Sequence, residues 1–305
     1  MTTTSHPVST SVGHDAATTT PPLPEMRRRS ARRVLGWLRF LPHAVIAGYL
    51  FLAVVGPLLV DYDPMVTSIT DRLLSPGSTT SDGSTAWLGT DGVGRDVLAQ
   101  IVLGARTSIT IAVLTVTVCA VIGIAVGLVA GYVGGWADTV AARLIDVLIA
   151  FPGILLAIVI AGLFRPSIAI VVIALSAVGW IGFARVVRGT ALSLRERDWV
   201  SAARVMAVPR RSILTRHVLP FVAGPVVAMA TLEFALVVLA EAGLSFLGIG
   251  LPPTAVSWGQ TVAAGKEYLE IAWWISTFPG LALALLVVCV GLVGDQLTAR
   301  YGGKR

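Results

Sequence analysis

The sequence predicts an all-α membrane protein with six transmembrane helices, and three observations carry that prediction. Charged residues are 13% of the 305 and hydrophobic ones 55%, with a mean hydropathy of +0.82; a soluble domain carries about a quarter charged residues. Apolar runs long enough to cross about 30 Å of hydrocarbon as helix recur six times. Arginines gather in some of the connections between these runs and are sparse in others, the charge asymmetry of a polytopic chain.

The six runs span 42–60, 107–133, 142–164, 167–187, 218–248 and 272–294. The second and fifth exceed one crossing, so each extends past the bilayer, tilts or includes an extra turn. Orientation is set by the basic residues, because short loops rich in Lys and Arg stay in the cytoplasm. Arg27, Arg28, Arg29, Arg32, Arg33 and Arg39 precede the first run, and eight arginines lie between Arg185 and Arg216. Both segments are expected inside, as is the C-terminus with Arg300, Lys304 and Arg305. Residues 61–100, with Asp61, Asp63, Asp71, Asp82, Asp91 and Asp96 against Arg72 and Arg95, are expected outside. The net charge of +6 then reflects topology and attraction to anionic headgroups, with no call for nucleic acid.

The first 24 residues are rich in Thr, Ser and Pro, and the segment 1–34 reads as a disordered cytoplasmic tail. After it are expected a first transmembrane helix with an extracytoplasmic segment (35–106) and a core transmembrane domain (107–305). The first run is too long for a signal-peptide core and leads into "DYDPM" without a cleavage site, so it reads as an uncleaved span. Cys119 and Cys289 both fall inside predicted spans and read as packing residues. The four histidines form no zinc pattern. "GTDGVGRD" (89–96) lacks the order of a phosphate loop, so this chain is not expected to hydrolyse ATP.

That absence sharpens the interest of "SAARVMAVPRRSILTRHVLP" (201–220), where Arg204, Arg210, Arg211 and Arg216 stand among small apolar residues. Val200, Ala203, Met206 and Ala207 share a helix face in part. Such a helix either lies on the headgroups, merely supplies positive-inside charge, or meets another protein. Alanine buries little area and anchors poorly in a membrane, so Ala202, Ala203 and Ala207 suit close approach by a partner surface.

This stretch resembles the "EAA" loop of binding-protein-dependent ABC-transporter permeases: E-A-A, three residues, Gly, nine residues, Ile, one residue, Leu-Pro. Here Ser201, Ala202 and Ala203 take the first three places, Ala207 the Gly place, His217 the Ile place, and Leu219 and Pro220 the end. Three marked positions depart from the pattern, and the missing Glu matters most, since any ion pair it makes is lost. Ser201 is expected to cap the helix N-terminus instead. "WLGTDGVGRDVLAQIVLGARTSI" (87–109), "GYVGGWADTVAARLIDVLIAFPGILLAI" (131–158), "EAGLSFLGIGLPPTAVSWGQTV" (241–262) and "FPGLALALLVVCVGLVGD" (278–295) are similar to the C-type subunit of dipeptide, oligopeptide and nickel permeases. The likeness runs from about residue 35 to the C-terminus.

The resemblance implies a type I ABC importer permease (MetI-like) fold in a bacterial cytoplasmic membrane, both termini cytoplasmic. A coupling loop at about 188–217 would dock a short helix on an ATPase, through Ser201, Ala202, Ala203, Arg204, Met206, Ala207 and Arg210. Implied partners are a second (B-type) permease, two ATPase subunits that hold ATP and Mg, and an extracytoplasmic solute-binding protein; this chain itself would bind no cofactor or metal and act as no enzyme. Short peptides are the expected cargo, with nickel or a peptide-like metabolite as alternatives. A secondary transporter is the alternative of another class. An intramembrane enzyme lacks a catalytic constellation.

Other features read without the resemblance. Gly123, Gly127 and Gly131 recur on one face of the second span and allow close packing, within the subunit or against a partner. Pro152 and Pro279, each in a Phe-Pro-Gly triplet, interrupt the third and sixth spans. Glu233 and, two turns later, Glu241 lie in the fifth span. Acids at such depth face protein or a water-filled path: either they line the substrate route or they are structural. Arg143 and Asp146 are spaced to pair on a helix.

Overall fold

Hydrocarbon offers no water to satisfy backbone polar groups, so the apolar runs close their hydrogen bonds internally as helices. A computed structural model describes residues 40–60 and 62–302; the expected tail, 1–34, lies outside the described residues. In chain order the main helices are α1 (Leu41–Leu59), α2 (Val97–Leu128), α3 (Gly135–Ile149), α4 (Gly153–Leu163), α5 (Ile168–Arg195), α6 (Asp198–Val205), α7 (Leu219–Phe246), α8 (Trp258–Gly265) and α9 (Trp274–Gly302). A two-residue hairpin pairs β1 (Ser78–Thr79) with β2 (Thr85–Ala86) between α1 and α2. All belong to one unit, Leu41–Arg305.

Five helical stretches are long and apolar enough to cross a membrane, and six when the bent pair α3–α4 counts as one span. The two runs expected to be overlong become stretches of 37 residues, Val97–Val133 and Arg210–Phe246. Both contain π-helical turns, Val129–Val133 and Ile213–Val218. α2 starts well before the predicted 107 because the Asp96 carboxylate caps it, accepting from the Ala99 N–H at 2.8 Å. α5 runs on to Arg195, taking up the first part of the segment expected as coupling loop.

α2 and α5 form the central seam, and the glycine repeat explains it. A Cβ on Gly127 would stand 2.6 Å from the Ala184 carbonyl oxygen, and one on Gly131 2.7 Å from that of Arg188. Gly123 meets Phe183 and the Trp180 carbonyl in the same way. Small residues let the two backbones approach closely, so the repeat packs within the subunit. One apolar cluster lies toward the β-hairpin end, with Ile111, Leu244, Trp258 and Leu286 buried. A second, with Phe183, Val187, Val200, Ile213 and Val222, lies toward α6.

The third span is broken rather than kinked: α3 and α4 meet at 81° across Pro152. The spaced pair Arg143–Asp146 makes no ion pair among the described residues. Arg188 of α5 instead forks onto both oxygens of Asp138 in α3, tying the arm to the central seam.

Candidate functional site

An isolated eight-residue helix is unstable in water, so α6 needs a seat. Val200 and Ala203 lie on its inner face, buried in the cluster with Ile213, Val218 and Val222. Burying a valine fully contributes about 1.5–3 kcal/mol relative to leaving it exposed. Trp199 stacks on Phe221 at 6.2 Å and lies 5.9 Å from the His217 ring, which fixes the helix to the base of α7. The Arg204 guanidinium sits 5.3 Å above the Tyr132 ring, a cation–π contact to the end of the α2 stretch.

With that face used, residues at the opposite positions stand out. Ser201, Ala202, Val205 and Met206 are exposed, Val205 at 88% and Met206 at 70%. Two expectations for this helix need correction. Ala203 faces its own chain and seats the helix, while Ala202, with Val205 and Met206, offers the free surface. Ser201 does not cap: Arg197 holds the N-cap position and Asp198 opens the helix, leaving Ser201 mid-helix. Val205 carries a signal that attention to the alanines alone misses, an apolar residue three positions from Ala202 on the same face.

Ala207 occupies the left-handed region, φ 55°. The Val208 N–H bonds the Ala203 carbonyl and the Ala207 N–H the Arg204 carbonyl, each at 3.0 Å. That is a Schellman motif, whose left-handed position favours glycine. The Gly place in the "EAA" pattern is thereby explained by backbone geometry. Arg210 is exposed and opens a helical turn, Arg210–Ser212, after Pro209.

The two acids of α7 part company. Glu241 is fully buried, and its oxygens accept from Ser108 of α2 and Ser245 of its own helix, each at 2.7 Å. This clasp ties two spans together and leaves Glu241 no face on a water-filled route. Glu233 is half-buried where α2, α5 and α7 converge: a Cβ on Gly179 would stand 2.7 Å from Cys119 Sγ and 3.1 Å from Glu233 Oε1. One turn before Cys119 on α2, the buried Thr115 hydroxyl has no hydrogen-bond partner among the described residues.

The segment between α1 and α2 has its own order. Asp91 is buried, and its carboxylate accepts from the Val93 and Arg95 N–H groups, the Arg95 guanidinium and Gln100. The amides that a phosphate would need are thus taken by an internal anion. Bonds from Thr80 and Ser84 hold the pKa of the Asp82 carboxyl down to about 2. Burial pushes the Tyr62 phenol up to about 12. Among the described residues no group of three His, Cys, Asp or Glu is placed to hold a metal ion.

The family of binding-protein-dependent transport system inner membrane components matches residues 123–302. The chain belongs to that family. The permease is 34% identical over 253 residues to a dipeptide transport system permease protein of Alkalihalophilus pseudofirmus, covering 83% of this chain and 81% of the relative. It is 37% identical over 283 residues to an oligopeptide transport system permease protein of Mycobacterium bovis, 89% and 94% covered. It is 36% identical over 284 residues to a glutathione transport system permease protein of Pectobacterium atrosepticum, 90% and 93% covered. A solved structure of the inward-facing MetNI methionine ABC transporter superposes with TM-score 0.55 at 18% identity, covering 67% of this chain and 97% of that one. The MetI-like fold is therefore shared, and the matched region runs from the last turns of α2 through α9. The permease is a multi-pass inner-membrane transport subunit of an ABC importer, not an enzyme, and the family match stands against the secondary transporter.

Proposed function

We propose that this permease moves short peptides into the cytoplasm by alternating access, driven through α6 by separate ATPase subunits. The observation that carries the reading is the division of α6 into a seated face (Val200, Ala203) and an exposed apolar face (Ala202, Val205, Met206). A helix so short and so firmly tied to α2 and α7 transmits displacement to both. ATP binding closes the ATPase pair and shifts α6, and the spans pass from inward-open to outward-open. The ATPase must therefore bind α6 differently in the two states. Arg210 lies beside this surface and Ala207 ends the helix that presents it.

In this reading both termini and α6 are cytoplasmic, residues 1–34 form a cytoplasmic tail, and the 62–96 segment faces a solute-binding protein outside. The complex contains a second permease and two ATPase subunits, which hold ATP and Mg. Names of the relatives support peptide cargo, and the glutathione permease among them keeps a peptide-like metabolite as the alternative. Glu233 contributes to the substrate path, while Glu241 serves the scaffold.

The test is uptake of a labelled dipeptide, with affinity purification of the tagged chain alongside. Met206→Glu is expected to abolish uptake and the recovery of nucleotide-binding proteins while leaving the chain inserted. Wild-type uptake in that variant, or a wild-type chain that purifies alone, overturns the coupling assignment.

A further inference from the structure

α1 and α2 touch closely at one level and leave a groove beside it. Gly56 lies against Val102, where any side chain larger than hydrogen meets the valine methyl. Beside that contact lies a groove of about 460 Å³ between the helices, walled by Leu50, Val54, Leu58, Val113 and Leu114, with Arg106 as its one cation. Its walls are exposed: Val54 at 73% and Leu58 at 83%.

Arg106 is the anomaly. It makes no ion pair or side-chain hydrogen bond among the described residues. It sits one helical turn, about 5.4 Å, further along α2 than Val102, and so below the level at which α1 ends. A guanidinium facing hydrocarbon at that depth is costly unless it reaches the interface or finds an anion. Helical side chains lean toward the helix N-terminus, which for α2 is the face where α1 ends and the 62–96 segment begins. Arg106 can therefore snorkel along the groove toward that face.

We propose that this groove holds a phospholipid, its acyl chain lying along Leu50, Val54, Val113 and Leu114 and its phosphate paired with Arg106. A bidentate guanidinium suits phosphate oxygens. A partner helix would need an acidic residue at matched depth, whereas any phospholipid of the adjoining leaflet brings an anion and an apolar chain in the required order. The site lies away from α6, so it stands or falls apart from the coupling reading.

The test is native mass spectrometry of the full chain, with whatever subunits accompany it, released from detergent micelles supplied with phosphatidylglycerol. Wild type is expected to retain one phosphatidylglycerol per chain. Arg106→Gln lowers retention about fivefold, as loss of one basic residue at a headgroup does, and Arg106→Lys restores most of it. Val54→Trp, which fills the groove, abolishes retention, while Val159→Trp on the exposed face of α4 leaves it unchanged. A photoreactive benzoylphenylalanine at Val113 is expected to form a lipid adduct in membranes. Equal retention in Arg106→Gln or in Val54→Trp overturns the proposal, and so does an adduct to protein, which would give the groove to a partner helix.

Discussion

The triplet Phe-Pro-Gly occurs twice in this chain and has opposite outcomes. At Phe151-Pro152-Gly153 the helix ends, turns through 81° and starts again with Pro152 as its N-cap. At Phe278-Pro279-Gly280 helix α9 runs on. Proline removes the same N–H and crowds the same carbonyl in both, so the difference lies in the surroundings. Pro152 and Phe151 are exposed, with little packed against them. Pro279 is buried, in a turn held from several sides. The Trp274 indole N–H donates to the Thr90 carbonyl, the Ser276 hydroxyl donates to the Val262 carbonyl, and Ile275 is fully buried. A proline offers a break, and tertiary packing accepts or refuses it.

Removing the anchors should undo the refusal. Trp274→Ala deletes a buried indole and its hydrogen bond, and is expected to cost about 3–5 kcal/mol, read as a fall in the thermal midpoint in detergent. Spin labels placed across Pro279 should then report a new bend; an unchanged distance would mean that the helix needs no such support. Pro279→Ala should act in the other direction. Restoring the donor to the Ile275 carbonyl raises stability by up to about 3 kcal/mol, and a loss of stability would show that the proline ring itself fills the packing. The corresponding change at the exposed triplet is smaller in energy and larger in geometry. Pro152→Ala should shift stability by less than about 1 kcal/mol, yet lengthen the separation of labels at Val140 and Val159 as the bend relaxes. Peptide uptake should fall with it if the broken span moves during transport.

Much of this architecture is legible in the sequence. Six apolar runs, the glycine repeat at 123, 127 and 131, and the small-residue helix near 201 each express a local rule that packing leaves intact. The features that escape a reading of the sequence are set by distant partners. Arg143 and Asp146 have the spacing of a pair, yet the ion pair of this arm joins Asp138 to Arg188, because α5 brings a planar guanidinium to both carboxylate oxygens. Glu241 reads as a costly intramembrane acid until Ser108, 133 residues away in sequence, supplies a hydroxyl. The start of α2 is hidden because Arg106 and Gln100 interrupt the apolar run, and the purpose of Gln100 is apparent only beside Asp91 and Thr261. At α6 the sequence points Ala203 the wrong way, since a short run of small residues does not say which side is already covered.

The smallest expected effect concerns a position where the chain accepts strain. Ala207 carries φ 55° to close the Schellman turn after α6, and both bonds of the motif are made. An alanine in the left-handed region costs roughly 1 kcal/mol relative to glycine. Ala207→Gly relieves that cost but also loosens the unfolded chain, so the net gain should be at most about 1 kcal/mol. Ala207→Val, with a branched side chain, should lose more than the glycine gains. Because residue 207 ends the helix without joining the buried face, the glycine variant should keep full uptake. A fall in uptake at unchanged or higher stability would mean that the Ala207 methyl itself meets the ATPase, and would extend the docking surface past Met206 into the turn that follows α6.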